Sequence, residues 1–178
     1  PCQALADYFT LYERHGNNVC KLKMAYVGDG NNVAHSLIFM VAKLGGKISI
    51  STPRGYEPNK DVVKMAMEDA KKSKAEIIIT NDPKEGVKNA DVIYTDVWAS
   101  MGQEKEKEAR AKIFKPYQVN SDLVKATGKK TYIMHCLPAH REEEITHEVI
   151  ESENSIVFDE AENRLHAQKA VMVLLMKS

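Results

Sequence analysis

The chain has 178 residues, of which 43% are hydrophobic, and this length and composition suit one domain with a single core. Its 25 Lys and Arg residues balance its 25 Asp and Glu residues, so no net charge draws nucleic acid or an anionic membrane surface to it. No apolar run reaches the roughly 20 residues that span a bilayer, and the amino end lacks the pattern of a signal peptide. We therefore expect a small-molecule partner, with no nucleic acid and no membrane.

The three cysteines are Cys2, Cys20 and Cys136. They form neither an even set nor a C-x-x-C pair, so they do not indicate a disulfide framework. Disulfides are rare where thiols are kept reduced. The sequence therefore predicts free thiols and a cytoplasmic location.

The first predicted element is a helix. Apolar residues recur at helical spacing after Pro1, and proline suits the first turn of a helix because its missing N–H has no partner there. The sequence has no initiator methionine, and we expect it to begin inside a longer protein. On this interpretation residues 1–17 connect two domains, residues 18–160 form an α/β domain, and residues 161–178 form a C-terminal helix.

Short segments rich in β-branched residues alternate with longer amphipathic segments along the rest of the chain. Strands are predicted at residues 24–27, 48–51, 76–80, 92–95, 131–135 and 155–158. Helices are predicted at residues 33–44, 60–72, 84–88, 104–114, 122–127, 146–152 and 161–176. Strands separated by helices are typical of right-handed β-α-β crossovers. We therefore predict an α/β fold, with a doubly wound, Rossmann-like parallel sheet and helices on both faces.

The segment after the first strand, residues 27–33, is a glycine turn that opens a helix. Open parallel sheets bind ligands beyond the carboxyl ends of their strands, so such segments are candidate sites. Val33 stands where a dinucleotide fingerprint has its third small residue, and the second strand ends without an acidic residue, which argues against a nicotinamide site. Asn32 is a candidate ligand amide. The alternative is that Asn31 or Asn32 only caps the helix.

The second candidate segment surrounds Asp96. This residue directly follows a predicted strand, so its carboxylate should stand at the sheet edge and pair with a cationic ligand group. The alternative is a helix cap or an ordinary loop carboxylate. Ser100, Met101 and Gly102 are predicted to form a turn whose backbone N–H groups face a ligand carboxylate, and the alternative is a plain connector.

The third candidate segment, residues 135–141, ends a strand with His135 and Cys136, and Pro138 fixes the turn beyond it. A zinc site is not indicated, because no second Cys/His pair lies at zinc-finger spacing. Cys136 is then a nucleophile, a cysteine that lines a site without covalent chemistry, or a packed side chain. The last two interpretations are favoured.

The fourth candidate segment opens the last predicted helix. Arg164 lies about one turn inside this helix, where a guanidinium offers paired N–H donors to an oxyanion or phosphate. Spacing alone favours the alternative, which is a salt bridge with Asp159, Glu160 or Glu162.

In this order, these segments resemble the carbamoyltransferase family over essentially the whole chain. Five motifs carry the resemblance. They are Pro1-Cys2-Gln3 for the end of H-P-C-Q, Val27 to Asn32 for the G-D-G-N-N turn, Asp96 to Gly102 for D-x-x-x-S-M-G, His135 to Pro138 for H-C-L-P, and Phe158 to Arg164 for F-x-E-A-E-N-R. The D-x-x-x-S-M-G loop is similar to that of ornithine carbamoyltransferases, so the chain resembles their ornithine-binding half.

The resemblance implies that the side-chain amine of L-ornithine attacks the carbonyl carbon of carbamoyl phosphate, which gives L-citrulline and phosphate. It implies that ornithine is bound by Asn32, Asp96, Ser100 and Met101. It implies that carbamoyl phosphate is bound by Gln3, Cys136, Leu137 and Arg164. Of these, Cys136 and Arg164 are the catalytic candidates, and no covalent intermediate on Cys136 is expected. No metal or organic cofactor is expected either.

The resemblance also implies parts that these 178 residues lack, namely the histidine before P-C-Q and an S-x-R-T phosphate-binding segment. We expect the chain alone to fold without catalysing the reaction, and the last helix to pack toward the carbamoyl phosphate domain. The parent protein is expected to be a homotrimer or a multiple of trimers.

Three alternatives remain open at this point. They are a carbamoyltransferase for another amine such as putrescine, an NADP-dependent oxidoreductase domain in which Arg54 takes the 2′-phosphate, and an amino-acid-binding module without catalysis. The S-M-G turn favours ornithine over putrescine, because putrescine has no α-carboxylate to bind. A biosynthetic and a catabolic role are equally compatible with the sequence.

Overall fold

The computed structural model describes residues 1–99 and 107–177, which fold around a parallel sheet of five strands. The strands are β1 (Lys23–Val27), β2 (Lys47–Ser51), β3 (Glu76–Thr80), β4 (Val92–Thr95) and β5 (Tyr132–His135). They lie in the order β3-β2-β1-β4-β5, and each adjacent pair is parallel. The strand order reverses at β1, and doubly wound sheets bind ligands at this kind of switch point.

Helices connect the strands. They are α1 (Cys2–His15), α2 (Asn32–Leu44), α3 (Lys60–Ser73), α4 (Pro83–Val87), α5 (Lys107–Phe114), α6 (Ser121–Lys125), α7 (His147–Ile150) and α8 (Val157–Met176). Among the described residues, 3₁₀ segments lie at Gly16–Lys21 and Lys115–Tyr117. Within the described part of the chain, no helix is both long enough and apolar enough to cross a membrane.

Hydrophobic clusters lie on both faces of the sheet. Alternate strand residues feed them, so Tyr26 and Tyr94 contribute to the cluster with α1, α2 and α3. Ala25 and Ile93 contribute to the cluster with α4, α6 and α7. All four residues are fully buried. The predicted α/β class, with a parallel sheet between two helical layers, is confirmed.

The predicted sixth strand at residues 155–158 is wrong. Ser155 forms only an isolated bridge with Ile133, and α8 already begins at Val157 rather than at residue 161. Ile156 and Val157 are buried, and a short buried segment of β-branched residues has the same pattern whether it is extended or helical.

The turn after β1 packs closely against the loop after β2. The Gly30 N–H donates to the Tyr56 carbonyl oxygen at 2.9 Å. A Cβ at Gly30 would lie 2.4 Å from the Pro58 nitrogen and 2.5 Å from the Tyr56 oxygen. Only glycine fits this close backbone approach, so the glycine turn holds two strand ends together.

Helices α1 and α8 come from opposite ends of the chain and pack side by side. The Asn163 amide donates to the Thr10 hydroxyl at 3.0 Å and to the Glu13 carboxylate at 2.6 Å, and Arg14 pairs with Asp159. This contact brings the start of the chain next to the segment that carries Arg164.

Candidate functional site

Side chains from three loops meet where β1, β4 and β5 end. Asn31 follows β1, Asp96 follows β4 and Cys136 follows β5. The Asn31 amide nitrogen donates to Asp96 Oδ2 at 2.7 Å, and the Cys136 thiol donates to Asp96 Oδ1 at 3.1 Å. Adjacent parallel strands thus bring together residues that are far apart in sequence.

Asn31 has two structural roles at once. Its Oδ1 accepts from the backbone N–H groups of Val33 at 2.9 Å and Ala34 at 3.2 Å, which caps α2. Its Nδ2 holds Asp96. The helix cap is therefore Asn31 rather than Asn32, which is the exposed first residue of α2. An Asn directly before a helical segment was the signal for the cap, whereas its bond to Asp96 was not predicted.

The Asp96 carboxylate lies at the carboxyl edge of the sheet. Only 7% of it is exposed, and its Oδ1 also accepts from the Val97 N–H at 2.8 Å. Within residues 1–99 and 107–177, no Lys or Arg forms an ion pair with Asp96. A largely buried carboxylate without a protein cation strongly favours a cationic ligand group, because pairing offsets the cost of burying its charge.

Cys136 is held as a neutral thiol. Burial is the main cause that raises its pKa well above the usual value, and the charge and hydrogen bond of Asp96 raise it further. The thiolate is the nucleophilic form of cysteine, so this environment disfavours covalent catalysis by Cys136.

We expect Asp96→Asn to speed the alkylation of Cys136 by iodoacetamide at pH 8 by about tenfold or more, since each pKa unit changes the thiolate fraction about tenfold. The substitution removes the negative charge that opposes the thiolate. Peptide mass spectrometry over time measures the rate. Asp69→Asn, which removes a carboxylate on α3 that pairs with Lys43, is the matched control and should leave the alkylation rate unchanged. Equal rates in both variants would show that Asp96 does not control the thiol.

Hydrogen bonds of the His135 side chain hold the turn after β5 in place. This histidine is fully buried, its Nε2 lies 3.0 Å from Glu144 Oε1, and its Nδ1 accepts from the Leu137 N–H at 2.9 Å. Leu137 has a φ of 53° and precedes a cis peptide bond to Pro138. The accepting Nδ1 carries no proton, so the Nε2 proton points to Glu144.

Two groups of described side chains have ligand atoms near enough to hold a metal ion. They are Asp96, His135 and Cys136, and His140, Glu143 and Glu144, with ligand atoms within 4.8 Å of one another in each group. In the first group, both His135 ring nitrogens already have protein partners. The donor set therefore does not suit a metal there, and the absence of a metal stays a prediction.

Arg164 and Gln3 meet where α1 contacts α8. Arg164 Nη1 donates to Gln3 Oε1 at 2.5 Å, while the buried Arg164 Nε has no partner among the described residues. The alternative salt bridge of Arg164 is not present within the described ranges, since Asp159 pairs with Arg14 and Glu160 is held by other groups. Arg164 thus has donor capacity left for a ligand.

A largely buried ion pair lies beside the turn that follows β1. Arg110 pairs with Asp29 after β1, and both side chains are largely buried. The guanidinium lies 4.8 Å from the centre of the Tyr56 ring and 5.1 Å from that of Phe114. Sequence patterns did not single out Arg110, which lies in a charged helical segment. The predicted ligand residues Ser100 and Met101 lie outside the described residues.

The protein is therefore an α/β domain that carries a buried carboxylate, a neutral thiol and a guanidinium near the carboxyl ends of its strands. These groups belong to Asp96, Cys136 and Arg164. The chain belongs to the aspartate/ornithine carbamoyltransferase family, because the family's Asp/Orn-binding domain matches residues 20–175.

Individual relatives agree with this assignment. Ornithine carbamoyltransferase from Pyrococcus horikoshii is 58% identical over 176 residues, which are 99% of this chain and 55% of that protein. The enzyme from Thermococcus kodakarensis is 59% identical over 99% of this chain and 56% of its own length. The chain thus spans about 55% of the curated relatives that it matches.

Solved structures show the same fold. Ornithine carbamoyltransferase from Pyrococcus furiosus has a TM-score of 0.92 and 58% identity, over 98% of this chain and 55% of that one. Anabolic ornithine carbamoyltransferase from Campylobacter jejuni has a TM-score of 0.93 at 36% identity, over 98% of this chain and 58% of that one. The oxidoreductase and binding-module alternatives are not favoured by these relatives.

Proposed function

We propose that the chain is the ornithine-binding part of an ornithine carbamoyltransferase. In this reaction the side-chain amine of L-ornithine forms an N–C bond with the carbamoyl carbon, the C–O bond to phosphate breaks, and the amine loses a proton. The products are L-citrulline and phosphate. The observation that carries the proposal is the buried Asp96 carboxylate, which Asn31 orients and which has no protein cation in the described ranges. Relatives at 55–59% identity named ornithine carbamoyltransferase support it.

In the proposed complex Asp96 binds the α-ammonium group of ornithine. Asn32, Ser100 and Met101 are the further ornithine-binding candidates, and Asn32 contributes from the exposed start of α2. The reacting amine has a reference pKa of about 10.4, so the site has to favour its neutral form. The neutral Cys136 thiol suits that task better than a second carboxylate, which would stabilise the ammonium form.

Carbamoyl phosphate is proposed to lie against Gln3, Cys136, Leu137 and Arg164. Attack by the amine places negative charge on the carbonyl oxygen, and a guanidinium near that oxygen stabilises it. Arg164 is the cationic candidate, because its buried Nε is free of partners among the described residues. The chemistry proposed here uses no metal or organic cofactor.

A phosphate-binding domain is proposed to belong to the same protein, because the relatives are nearly twice as long as the chain. Apolar side chains on α1 and α8 support this: Leu5 is 39% exposed, Phe9 37% and Leu174 75%. On this proposal residues 1–17 connect the domains, residues 18–160 bind ornithine, and residues 161–178 pack toward the phosphate domain. We further propose a trimeric, cytoplasmic parent, and the three free cysteines suit a reducing compartment.

The test uses a chain of the relatives' length that contains these 178 residues. Purified protein with carbamoyl phosphate and ornithine should release citrulline and phosphate in equal amounts. Putrescine in place of ornithine should react much more slowly, because it has no α-carboxylate. No citrulline with ornithine, or faster reaction with putrescine, would overturn the proposed substrate. Micromolar NADPH binding, followed by fluorescence, would revive the oxidoreductase alternative.

A further inference from the structure

Two carboxyl groups are fully buried between α1, α8 and the sheet. Asp7 on α1 and Glu160 on α8 are both 0% exposed. Within residues 1–99 and 107–177, neither forms an ion pair with Lys or Arg. Buried carboxylates without a counter-ion are costly, so this pair requires a physical explanation.

Hydrogen bonds converge unequally on the two groups. Glu160 Oε1 accepts from the Tyr94 hydroxyl at 3.0 Å and the Gln3 amide at 3.2 Å, and its Oε2 accepts from the His135 N–H at 3.1 Å. Asp7 Oδ1 accepts only from the Gln3 amide, at 2.7 Å, and its buried Oδ2 has no partner among the described residues. Glu160 thus accepts three hydrogen bonds, whereas Asp7 accepts one.

The surroundings keep a proton on the pair. Burial is the main cause that raises the pKa of Asp7 to about 6 and the pKa of Glu160 well above its usual value, where the charge of Asp7 adds to it. Tyr94 from β4 and Cys136 after β5 also face the pair, and both are held neutral by burial. The only cation close enough to lower the pKa of Asp7 is Arg164 on α8, within the described part of the chain.

The pair also determines which way the Gln3 amide points. The Gln3 nitrogen faces the two carboxyls, so its oxygen faces Arg164, which donates to it at 2.5 Å. A reversed amide would turn its oxygen toward the carboxyls and its N–H groups toward the guanidinium, and both contacts would be unfavourable. The contact between Gln3 and Arg164 therefore depends on the carboxyl pair.

We propose that Asp7 and Glu160 are positioning residues that share one proton and orient the Gln3 amide, so that it holds Arg164 in place for carbamoyl phosphate. The inference rests on the proposed function, since it assigns the pair to that same site. Neither carboxyl touches the reacting atoms.

The geometry predicts different outcomes for the two amide substitutions, Asp7→Asn and Glu160→Gln. Asp7→Asn keeps an oxygen for Gln3 and places N–H donors where the shared proton lies, so KM for carbamoyl phosphate should stay within about threefold of the parent value. Asp7→Ala removes the shorter of the two contacts that orient the Gln3 amide and leaves the 3.2 Å contact with Glu160, so this KM should rise about tenfold, as for the loss of one hydrogen bond to a charged group. Glu160→Gln should resemble Asp7→Ala, because three N–H or O–H donors already point at Glu160. KM for ornithine should not change in Asp7→Asn or Asp7→Ala.

Measurements on the 178-residue chain make the inference independent of catalysis. Carboxyl ¹³C resonances, assigned with Asp7→Asn, should show that the pair still holds a proton at pH 7. The ¹⁵N side-chain signals of Arg164 should shift in Asp7→Ala and stay in place in Asp7→Asn. Two carboxyls that are both ionised by pH 5, or Arg164 signals unchanged in Asp7→Ala, would overturn the inference. If the NMR results are as expected but the longer chain makes no citrulline, the proposed function fails and the positioning of Arg164 stands.

Discussion

Arg164→Ala should lower kcat/KM for citrulline formation about 100-fold to 1000-fold, the usual effect of losing one donor to a developing oxyanion. The guanidinium is half-buried, its Nη1 is held by Gln3, and its Nε has no partner among the described residues. Gln3 therefore already orients the guanidinium, and its Nε is available for the proposed contact with the carbamoyl oxygen. Steady-state kinetics on a chain of the relatives' length, with both substrates varied, measure the loss.

Two further variants separate charge from geometry. Arg164→Lys keeps the positive charge without the paired donors, and its rate should lie between those of the parent and the Ala variant. Lys169→Ala removes an exposed cation from the same helix and should leave the rate unchanged. A parent-like rate for Arg164→Ala, with intact folding by circular dichroism, would remove Arg164 from its assigned role.

Asp96→Ala should raise KM for ornithine about 100-fold, because truncating one partner of a desolvated charge pair costs about 2–5 kcal/mol. The carboxylate is largely buried and held by Asn31, Val97 and Cys136, so it is in position before the ligand arrives. The α-ammonium of ornithine is its proposed partner. Initial rates at saturating carbamoyl phosphate measure the change.

A substrate analogue tests which amine Asp96 binds. The compound 5-aminopentanoate keeps the reacting amine and the carboxylate of ornithine but has no α-ammonium. Asp96→Ala should therefore change its kcat/KM only slightly. Asp122→Ala, which removes an exposed carboxylate on α6, is the control with ornithine. A 100-fold loss with the analogue as well would show that Asp96 acts on the reacting amine instead.

Local patterns predicted the sheet because its strands are short, buried and bounded by turns. The segments at β1 to β5 were assigned correctly to within one residue. The error at residues 155–158 arose where Ile156 and Val157 are buried at the start of a helix, since burial alone does not distinguish a strand from a short helical turn. The burial comes from the packing of α8 on β5, which local sequence does not encode.

The site was partly predictable for a similar reason. Asp96 and Cys136 each follow a strand, and parallel strands bring their carboxyl ends to one edge, so their closeness followed from the fold class. The Asp7–Glu160 pair did not follow from it, because it depends on the packing of helices from opposite ends of the chain. Its one local hint is the spacing of Gln3 and Asp7, which share a helix face.

The Asn31 side chain makes hydrogen bonds through both its oxygen and its nitrogen, and this limits which residues can replace it. An Asp at this position would cap α2 equally well, but it would place a second carboxylate about where the amide nitrogen now lies, 2.7 Å from Asp96. A Ser would keep the cap and leave Asp96 without its donor. Only an amide serves the helix with its oxygen and the anion with its nitrogen. If Asp96 binds a cationic group as proposed, a relative that binds a ligand of different charge would have to change both Asn31 and Asp96.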